Sequence, residues 1–355
     1  MSQQPEGDKL KVLFIDKTHP VLKEELNSMN YQCDELSSFP DKTFEDLLPE
    51  YHGVVIRSKV TLDKAILQKA KNLKFIARTG AGMESIDVEF AESKGIHCIK
   101  APEGNKDSVA DHAIGMILTL FKKLNIADSE VKRGLWHRES NRGVELTGKT
   151  VGIIGCGFTG GEVAKRLSGF DVKVLGYDKY KSGYSDKYVE ETSLERIYEE
   201  ADIVSLHLPL TEETQYMVNT AFFSNFTKDI YLVNTSRGKV VNTEDLVTNL
   251  KSGKVLGACL DVLEYESASF ERLKGLGMWT NNRGRDINKL GAWLMKRGLW
   301  KYRHPVQYLV KSDKVILTPH IAGWSFESYR KISMILADRI RALDLTNAAQ
   351  PSEPQ

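Results

Sequence analysis

The chain has 355 residues, a formal net charge of +1 and 41% hydrophobic residues. This length favours two domains, and the near-neutral charge gives no reason to expect nucleic acid or a charged membrane surface as partner. The first ten residues, MSQQPEGDKL, lack the apolar stretch of a secretory signal. No apolar run is long enough to cross a bilayer, and the four cysteines have no metal-like or redox spacing. We therefore expect a reduced, cytoplasmic protein with no metal site.

Strand-like apolar runs alternate with helical patterns along the whole chain. The predicted strands are 10–16, 52–57, 73–78, 150–155, 172–178, 202–208, 230–235, 255–262 and 314–319. The predicted helices are 61–70, 83–93, a long one from 107 towards 133, 160–167, 194–200, 243–250 and a final one over about 325–343. Such alternation predicts an α/β fold with parallel sheets. The tail, 346–355, is expected to be disordered.

A glycine-rich motif follows the strand at 150–155. Its spacing is G-x-G-x-x-G: Gly155 allows a tight turn, Gly157 lets the backbone approach a pyrophosphate, and Gly160 lets the next helix pack closely. The N–H groups of Phe158 and Thr159, at the helix start, would face the phosphates. The motif therefore predicts a dinucleotide site.

The strand that follows this helix ends in an acidic residue. The carboxylate of Asp178 can accept hydrogen bonds from the ribose hydroxyls of the cofactor and would repel a 2′-phosphate, which favours NAD over NADP. Lys179 and Lys181 act against this preference, because a basic neighbour tolerates that phosphate. We expect NAD.

The segment 272–303 differs in composition from the rest. It holds nine Lys or Arg against the single acid Asp286, with Trp279, Trp293 and Trp300 among them. One interpretation is an insertion that forms a surface helix or subunit contact. The other is a basic lid that helps to hold an anionic substrate.

Several further motifs occur in a fixed order along the chain. They are IRSKVT (56–61), ARTGAGMESID (77–87), GIHCIKAPEGNKDSVADHAIGMIL (95–118), HLPLTEET (207–214), VNTSRGKVV (233–241), LDVLEYE (260–266) and LTPHIAG (317–323). With the glycine motif, they make the chain resemble the D-isomer-specific 2-hydroxyacid dehydrogenases, and among these the D-3-phosphoglycerate dehydrogenases most. The resemblance covers about residues 9–343, apart from the basic insertion.

The resemblance implies two doubly wound parallel-sheet domains. A Rossmann NAD-binding domain, 105–320, would be inserted into a flavodoxin-like substrate domain, 8–104 and 321–345, with the basic insertion at about 267–310. The active site would lie in the cleft between them. The resemblance also suggests a homodimer formed through the nucleotide domain.

Three residues match the family's catalytic positions: Arg237, Glu266 and His320. An imidazole can take the hydroxyl proton near neutral pH, a carboxylate can orient it, and a guanidinium can hold the substrate carboxylate. Each residue also has a structural interpretation. Arg237 would then form a surface ion pair, Glu266 would be a solvated carboxylate and His320 a buried structural histidine. Glu264 is close to Glu266, and Ser267 stands where the family has proline.

The resemblance also places residues around the cofactor and the substrate. Besides the glycine motif and Asp178, the cofactor would be lined by Leu208, Pro209, Thr235, Ser236, Asp261 and Gly323, with Asp261 on the nicotinamide amide. Ala81 and Gly82 would offer N–H groups to the substrate carboxylate, while Arg57, Ser58 and Arg78 would hold a phosphate. The alternative for these three is an ordinary hydrogen-bonded turn. Glu84-Ser85 replaces the family's usual Asp-Asn, which bears on substrate choice.

These expectations leave three functions open. The first is oxidation of 3-phosphoglycerate to 3-phosphohydroxypyruvate, a step of serine biosynthesis, by an NAD-dependent enzyme. The second is reduction of glyoxylate, hydroxypyruvate or another short 2-oxo acid by the same three residues. The third, of a different class, is a dinucleotide-sensing binding protein similar to the family's corepressors.

Overall fold

The computed structural model describes residues 9–266 and 305–345. Over these residues it has twelve strands and twelve α-helices. The strands are β1 Lys11–Phe14, β2 Gln32–Glu35, β3 Gly53–Ile56, β4 Phe75–Arg78, β5 His97–Ile99, β6 Thr150–Ile154, β7 Lys173–Tyr177, β8 Glu190–Glu191, β9 Ile203–Leu206, β10 Ile230–Asn234, β11 Val255–Leu260 and β12 Val315–Leu317. The helices are α1 Pro20–Ser28, α2 Phe44–Leu47, α3 Lys64–Leu67, α4 Val88–Ser93, α5 Lys106–Lys122, α6 Leu124–Lys132, α7 Phe158–Leu167, α8 Leu194–Glu200, α9 Thr220–Ser224, α10 Thr243–Ser252, α11 Val306–Lys311 and α12 Phe326–Arg341.

The chain divides into two compact units, residues up to 106 together with those from 324 onward, and residues 107–323. Most of the basic insertion and the C-terminal tail, both singled out in the sequence, lie outside the described residues. Their predicted roles therefore stay predictions.

The first unit holds a parallel sheet in the order β2-β1-β3-β4-β5. Every residue of β3 and β4 is buried, because separate apolar clusters cover the two faces of the sheet. Buried parallel strands read as continuous apolar runs, which is why the sequence predicted them. The strand order is the flavodoxin-like one.

The second unit holds a parallel sheet in the order β12-β11-β10-β9-β6-β7-β8. The order runs outward in both directions from the neighbouring strands β6 and β9, as in a Rossmann fold. Ligands of such sheets bind at the carboxyl ends of the strands where the order reverses. The predicted fold class, two doubly wound α/β domains, is confirmed.

Some predicted helices are wrong in extent. Only 64–67 of the helix expected at 61–70 forms, and only 88–93 of that expected at 83–93, because Leu62 and Ile86 pair as a parallel bridge. The long helix expected from 107 is two helices, broken at Lys123, whose φ of 51° is left-handed. An α-helix cannot continue through a residue in that conformation.

Candidate active site

The glycine motif forms the turn between β6 and α7. Gly155 has a φ of 97°, and a Cβ on it would lie 2.4 Å from the main-chain oxygen of His207. A Cβ on Gly160 would lie 2.0 Å from the main-chain oxygen of Gly155. Both positions therefore require glycine, one for the turn beside β9 and one for the close approach of the helix.

The start of α7 can receive an anion. Its N-cap is Gly157, and a Cβ there would meet nothing within 4 Å, so the backbone faces open space. The N–H groups of the first helical turn, which begins with Phe158 and Thr159, have no partner within the helix and carry its positive dipole end. This arrangement fits a pyrophosphate.

Asp178 follows β7 and faces this turn. Its carboxylate accepts hydrogen bonds from the main-chain N–H of Cys156 at 2.9 Å and of Tyr180 at 3.0 Å, so it also holds the glycine turn in shape. Lys179, one of the two lysines that act against NAD, forms an ion pair with Glu213. The hydrogen bond that Lys179 donates to Glu213 raises the pKa of this lysine, and its charge is balanced by that carboxylate.

Arg237 lies just after β10, in a turn that Asn234 organises. The Asn234 amide donates to the main-chain oxygen of Arg237 at 3.0 Å, and its oxygen accepts from the N–H and hydroxyl of Ser236 at 3.0 and 2.8 Å. A Cβ on Gly238 would lie 2.1 Å from the main-chain carbonyl of Leu263. The loops after β10 and β11 therefore touch, which places the half-buried Arg237 beside the loop that carries Glu266.

Glu266 and His320, 54 residues apart in sequence, meet in the structure. Nδ1 of His320 lies 2.7 Å from Oε2 of Glu266. Oε1 of Glu266 accepts the main-chain N–H of Leu263, so the carboxylate is held at both oxygens. The side chain of His320 is 22% exposed and that of Glu266 is 15% exposed, so the imidazole can be reached from solvent.

The neighbouring candidate, Glu264, has a different environment. Its oxygens accept the hydroxyl of Tyr216 at 2.9 Å and the main-chain N–H of Thr243 at 3.1 Å. Glu264 therefore joins the loop after β11 to the start of α10, while Glu266 is the carboxylate that contacts the histidine.

Asp261, at the end of β11, fixes the loop that carries His320. This carboxylate is 1% exposed and accepts the main-chain N–H groups of Ile321 at 2.9 Å and Ala322 at 2.8 Å, as well as the Thr318 hydroxyl at 2.6 Å. His320 itself has a φ of 55°, an unfavourable value for a residue with a Cβ, so the loop must be held by its surroundings. The observed role of Asp261 is thus to position this loop; its contact with a nicotinamide amide stays a prediction.

The remaining predicted cofactor residues lie at the same edge of the sheet. Oγ1 of Thr235 is buried and has no hydrogen-bond partner among the described residues, so it can bond to a bound group. Leu208 packs near Gly155, and Pro209 is exposed beside it. Ser236 is already bonded to Asn234, and Gly323 ends the loop after His320. This orphaned hydroxyl and the open N-terminus of α7 fit a dinucleotide.

Arg57 and Ser58, in the first unit, form a turn after β3. Their main-chain N–H groups donate to Oδ2 of Asp16 at 2.6 and 3.2 Å, and that of Lys59 follows at 3.4 Å. Because Asp16 uses these N–H groups, a phosphate here would depend on side chains. The guanidinium carbon of Arg57 lies 3.7 Å from the centre of the Trp324 ring.

Arg78 is the last residue of the neighbouring strand β4, and Ala81 and Gly82 lie in the turn after it. Arg78 is 9% exposed, and its guanidinium lies against Gly80. The N–H groups of Ala81 and Gly82 donate to no acceptor in the described part of the chain, as a site for a substrate carboxylate requires. Arg78 is thus part of the unit's interior, while the next turn presents unused donors.

Three important residues were missed by the sequence reasoning. Asn234 shapes the Arg237 turn, Asp16 shapes the Arg57 turn, and Trp324 stacks on Arg57. Asp16 and Asn234 both stand at the carboxyl ends of predicted strands, which is a usable signal. Trp324 directly follows the LTPHIAG motif, but no sequence pattern indicates its partner.

Within residues 9–266 and 305–345, no group of three or more His, Cys, Asp or Glu could hold a metal ion. No helix in these ranges is both long and apolar enough to span a membrane.

A glycine turn on a Rossmann sheet, joined to a carboxylate–histidine pair and an arginine at the same edge, defines an NAD-dependent dehydrogenase. Residues 114–322 match the family model for the NAD binding domain of D-isomer specific 2-hydroxyacid dehydrogenases. The chain belongs to the D-isomer specific 2-hydroxyacid dehydrogenase family, and its cofactor is NAD.

Its relatives differ in name and length. The chain is 32% identical over 336 residues to D-3-phosphoglycerate dehydrogenase of Archaeoglobus fulgidus. The aligned residues make up 93% of this chain but only 56% of that enzyme. It is 33% identical over 320 residues to hydroxypyruvate reductase of Thermotoga maritima, covering 90% and 91%. The crystal structure of D-lactate dehydrogenase from Aquifex aeolicus with NAD and lactic acid matches with a TM-score of 0.74 and 29% identity, covering 96% of this chain and 100% of that one.

Proposed function

We propose that the protein interconverts a D-2-hydroxy acid and its 2-oxo acid, and that Arg237, Glu266 and His320 carry the reaction. The observation that supports this is the 2.7 Å contact of His320 Nδ1 with Glu266. Because Nδ1 faces the carboxylate, Nε2 is the atom that takes the hydroxyl proton on oxidation and returns it on reduction. Bound NAD supplies the hydride acceptor.

The other residues of the proposed site bind or stabilise the negative charges of the substrate. The guanidinium of Arg237 binds the substrate carboxylate and stabilises negative charge on the 2-oxo oxygen. The N–H groups of Ala81 and Gly82 provide a further site for a carboxylate. Residues 107–323 would serve as the NAD-binding domain and the other unit as the substrate domain.

For the substrate we propose 3-phosphoglycerate, which would place the enzyme in serine biosynthesis. The support is Arg57, an arginine fixed at the carboxyl edge of the sheet, together with the likeness to the archaeal enzyme. Hydroxypyruvate is the second candidate, since the chain spans 91% of the length of the named hydroxypyruvate reductase but about half of the archaeal dehydrogenase. Glyoxylate, the smallest of the 2-oxo acids considered, tests how small a substrate the enzyme accepts.

The experiment is a panel of 2-oxo acids with NADH, run on the wild type and on His320→Ala. The wild type should turn over 3-phosphohydroxypyruvate with the highest kcat/KM. His320→Ala should lose roughly a hundredfold or more in kcat while still binding NADH, as measured by NADH fluorescence. Full activity of His320→Ala contradicts the mechanism, and wild-type NADH binding without turnover of any acid favours a sensor of the corepressor kind.

We further propose a cytoplasmic homodimer formed through residues 107–323. Large apolar side chains are exposed along α6 and the residues after it: Leu124, Val131, Leu135 and Trp136. An exposed apolar stretch of this kind is typical of a protein interface. Light scattering should give twice the chain mass, and Trp136→Glu should shift it towards the monomer.

A further inference from the structure

Arg57 is fixed at two points in the first unit. Its main-chain N–H, with those of Ser58 and Lys59, is bound by the buried carboxylate of Asp16. Its guanidinium lies over the Trp324 ring, 3.7 Å from the ring centre. Holding both the backbone and the head group matters because the side chain between them is long and carries a large rotamer entropy.

Trp324 itself contacts a second aromatic side chain. Its ring packs on Tyr329 with a centroid distance of 5.1 Å, and Tyr329 makes an edge contact with His19 at 5.7 Å. Directly after Trp324, Ser325 caps α12 in a reciprocal hydrogen-bonded box with Ser328. The indole is thus a supported platform, although 48% of its surface remains exposed.

The contact between the Trp324 ring and the Arg57 guanidinium determines the role of the indole. An aromatic face holds a guanidinium through its flat side, whereas the N–H donors of the guanidinium lie in its plane. Stacking therefore fixes the orientation of the group without using the donors that bind a phosphate or carboxylate in a bidentate way. Trp324 also follows His320 by four positions, so one short segment carries both the proton-transferring residue and this platform.

We infer that Trp324 is a positioning residue that sets Arg57 for a second anionic group of the substrate, a phosphate remote from the reacting carbon. This inference rests on the proposed function, in which Arg57 binds that phosphate. Trp324 would then determine preference between phosphorylated and unphosphorylated 2-oxo acids, while the proton transfer at His320 proceeds without it.

The test compares 3-phosphohydroxypyruvate with hydroxypyruvate, two substrates that differ only by the phosphate. Trp324→Leu should raise KM for the phosphorylated acid about fivefold to thirtyfold, the effect expected for loss of a cation–π contact, with kcat and the KM for hydroxypyruvate nearly unchanged. Trp324→Phe, which keeps a ring face, should recover most of the affinity. Phe326→Ala is the matched control, since this neighbouring aromatic residue is 93% exposed.

Arg57→Ala separates the inference from the function on which it rests. If it raises KM selectively for the phosphorylated acid, and adding Trp324→Leu has no further effect, the two residues act as one unit and the inference holds. If Arg57→Ala is selective but Trp324→Leu is not, or the effects add, the inference is overturned and the function stands. If Arg57→Ala weakens both acids equally, the phosphate site itself is wrong. Thermal unfolding of each variant identifies a misfolded one. If Trp324→Leu misfolds, Trp324→Gln takes its place with the same expected rise in KM for the phosphorylated acid, and an unchanged KM overturns the inference.

Discussion

The main-chain N–H of His320 donates to the main-chain oxygen of Asp261 at 2.8 Å, and the Asp261 carboxylate binds the two N–H groups that follow His320. The backbone of the histidine is therefore anchored to the end of β11 on both sides. Since His320 has a φ of 55°, these bonds offset the cost of an unfavourable conformation. The position of the imidazole depends on this buried carboxylate.

Replacing Asp261 by asparagine should therefore reduce catalysis more than binding. The amide keeps the shape but turns one acceptor into a donor that faces main-chain N–H groups or the Thr318 hydroxyl. We expect kcat to fall about tenfold to a hundredfold, because small displacements of a catalytic group are costly. Asp202→Asn is the control: its carboxylate accepts the N–H of Thr150 at 2.8 Å, at the amino ends of the strands. Asp202→Asn should lower the unfolding temperature with kcat unchanged, and an equal kcat loss in both variants would argue against a positioning role.

The two carboxylates after β11 should separate clearly in kinetics. Glu266→Gln loses the charge that faces His320 and should lower kcat about a hundredfold or more, with NADH binding kept. Glu264→Gln changes bonds to Tyr216, Thr243 and Tyr265 and leaves the contact of Glu266 with His320 in place, so it should cost about 1 kcal/mol of stability and leave kcat within about twofold. Steady-state rates and urea unfolding of both variants make the comparison. The reverse pattern would move the catalytic role to Glu264.

The strands that the sequence missed share a physical cause. β2, β5 and β8 are all at sheet edges, and they contain polar residues such as Gln32, His97 and Glu190. An edge strand is covered on fewer sides than a central one, so it needs no continuous apolar run. The interior strands, which do need one, were all predicted.

The site divides in a similar way. Ordered motifs pointed to Glu266 and His320 as partners, and the structure brings them together across 54 residues. Motifs record which residues are present, but they do not record backbone conformation or side-chain packing. The left-handed conformation of His320 and the stacking of Arg57 on Trp324 follow from tertiary contacts, and sequence alone could not give them.

The glycine turn allows a test with adjacent residues. Gly160→Ala would place a Cβ 2.0 Å from the Gly155 oxygen, so α7 must shift away from the turn. NADH binding, measured by fluorescence titration, should weaken at least about tenfold, since the helix N-terminus then leaves the phosphates. In Gly161→Ala the Cβ meets nothing within 4 Å. That variant should bind NADH as the wild type does and gain about 0.5–1 kcal/mol of stability from the alanine. Equal binding by both variants would mean that the turn does not hold the cofactor.

His207 should make the stability of the protein depend on pH. The residue keeps part of its surface exposed, but its Nδ1 atom is buried without a hydrogen-bond partner among the described residues, and Nε2 lies 2.8 Å from the Ser205 hydroxyl. Burial disfavours the charged ring and lowers the pKa of His207 to about 4. The unfolded chain, in which a histidine titrates near its ordinary value, therefore binds more protons between about pH 6.5 and 4. Its contribution to stability is complete above that range and is lost as the pH falls through it.

We expect the urea midpoint of the wild type to fall from pH 7 to pH 5, with about 2 kcal/mol of the loss due to His207. His207→Asn removes the titrating ring, so its midpoint should be lower at pH 7 but fall less over the same range. His97→Asn, at an exposed position on β5, should keep the wild-type slope. If His207→Asn and the wild type lose stability in parallel, protonation of the buried ring is not what limits stability in acid. The acid sensitivity must then come from groups elsewhere in the chain.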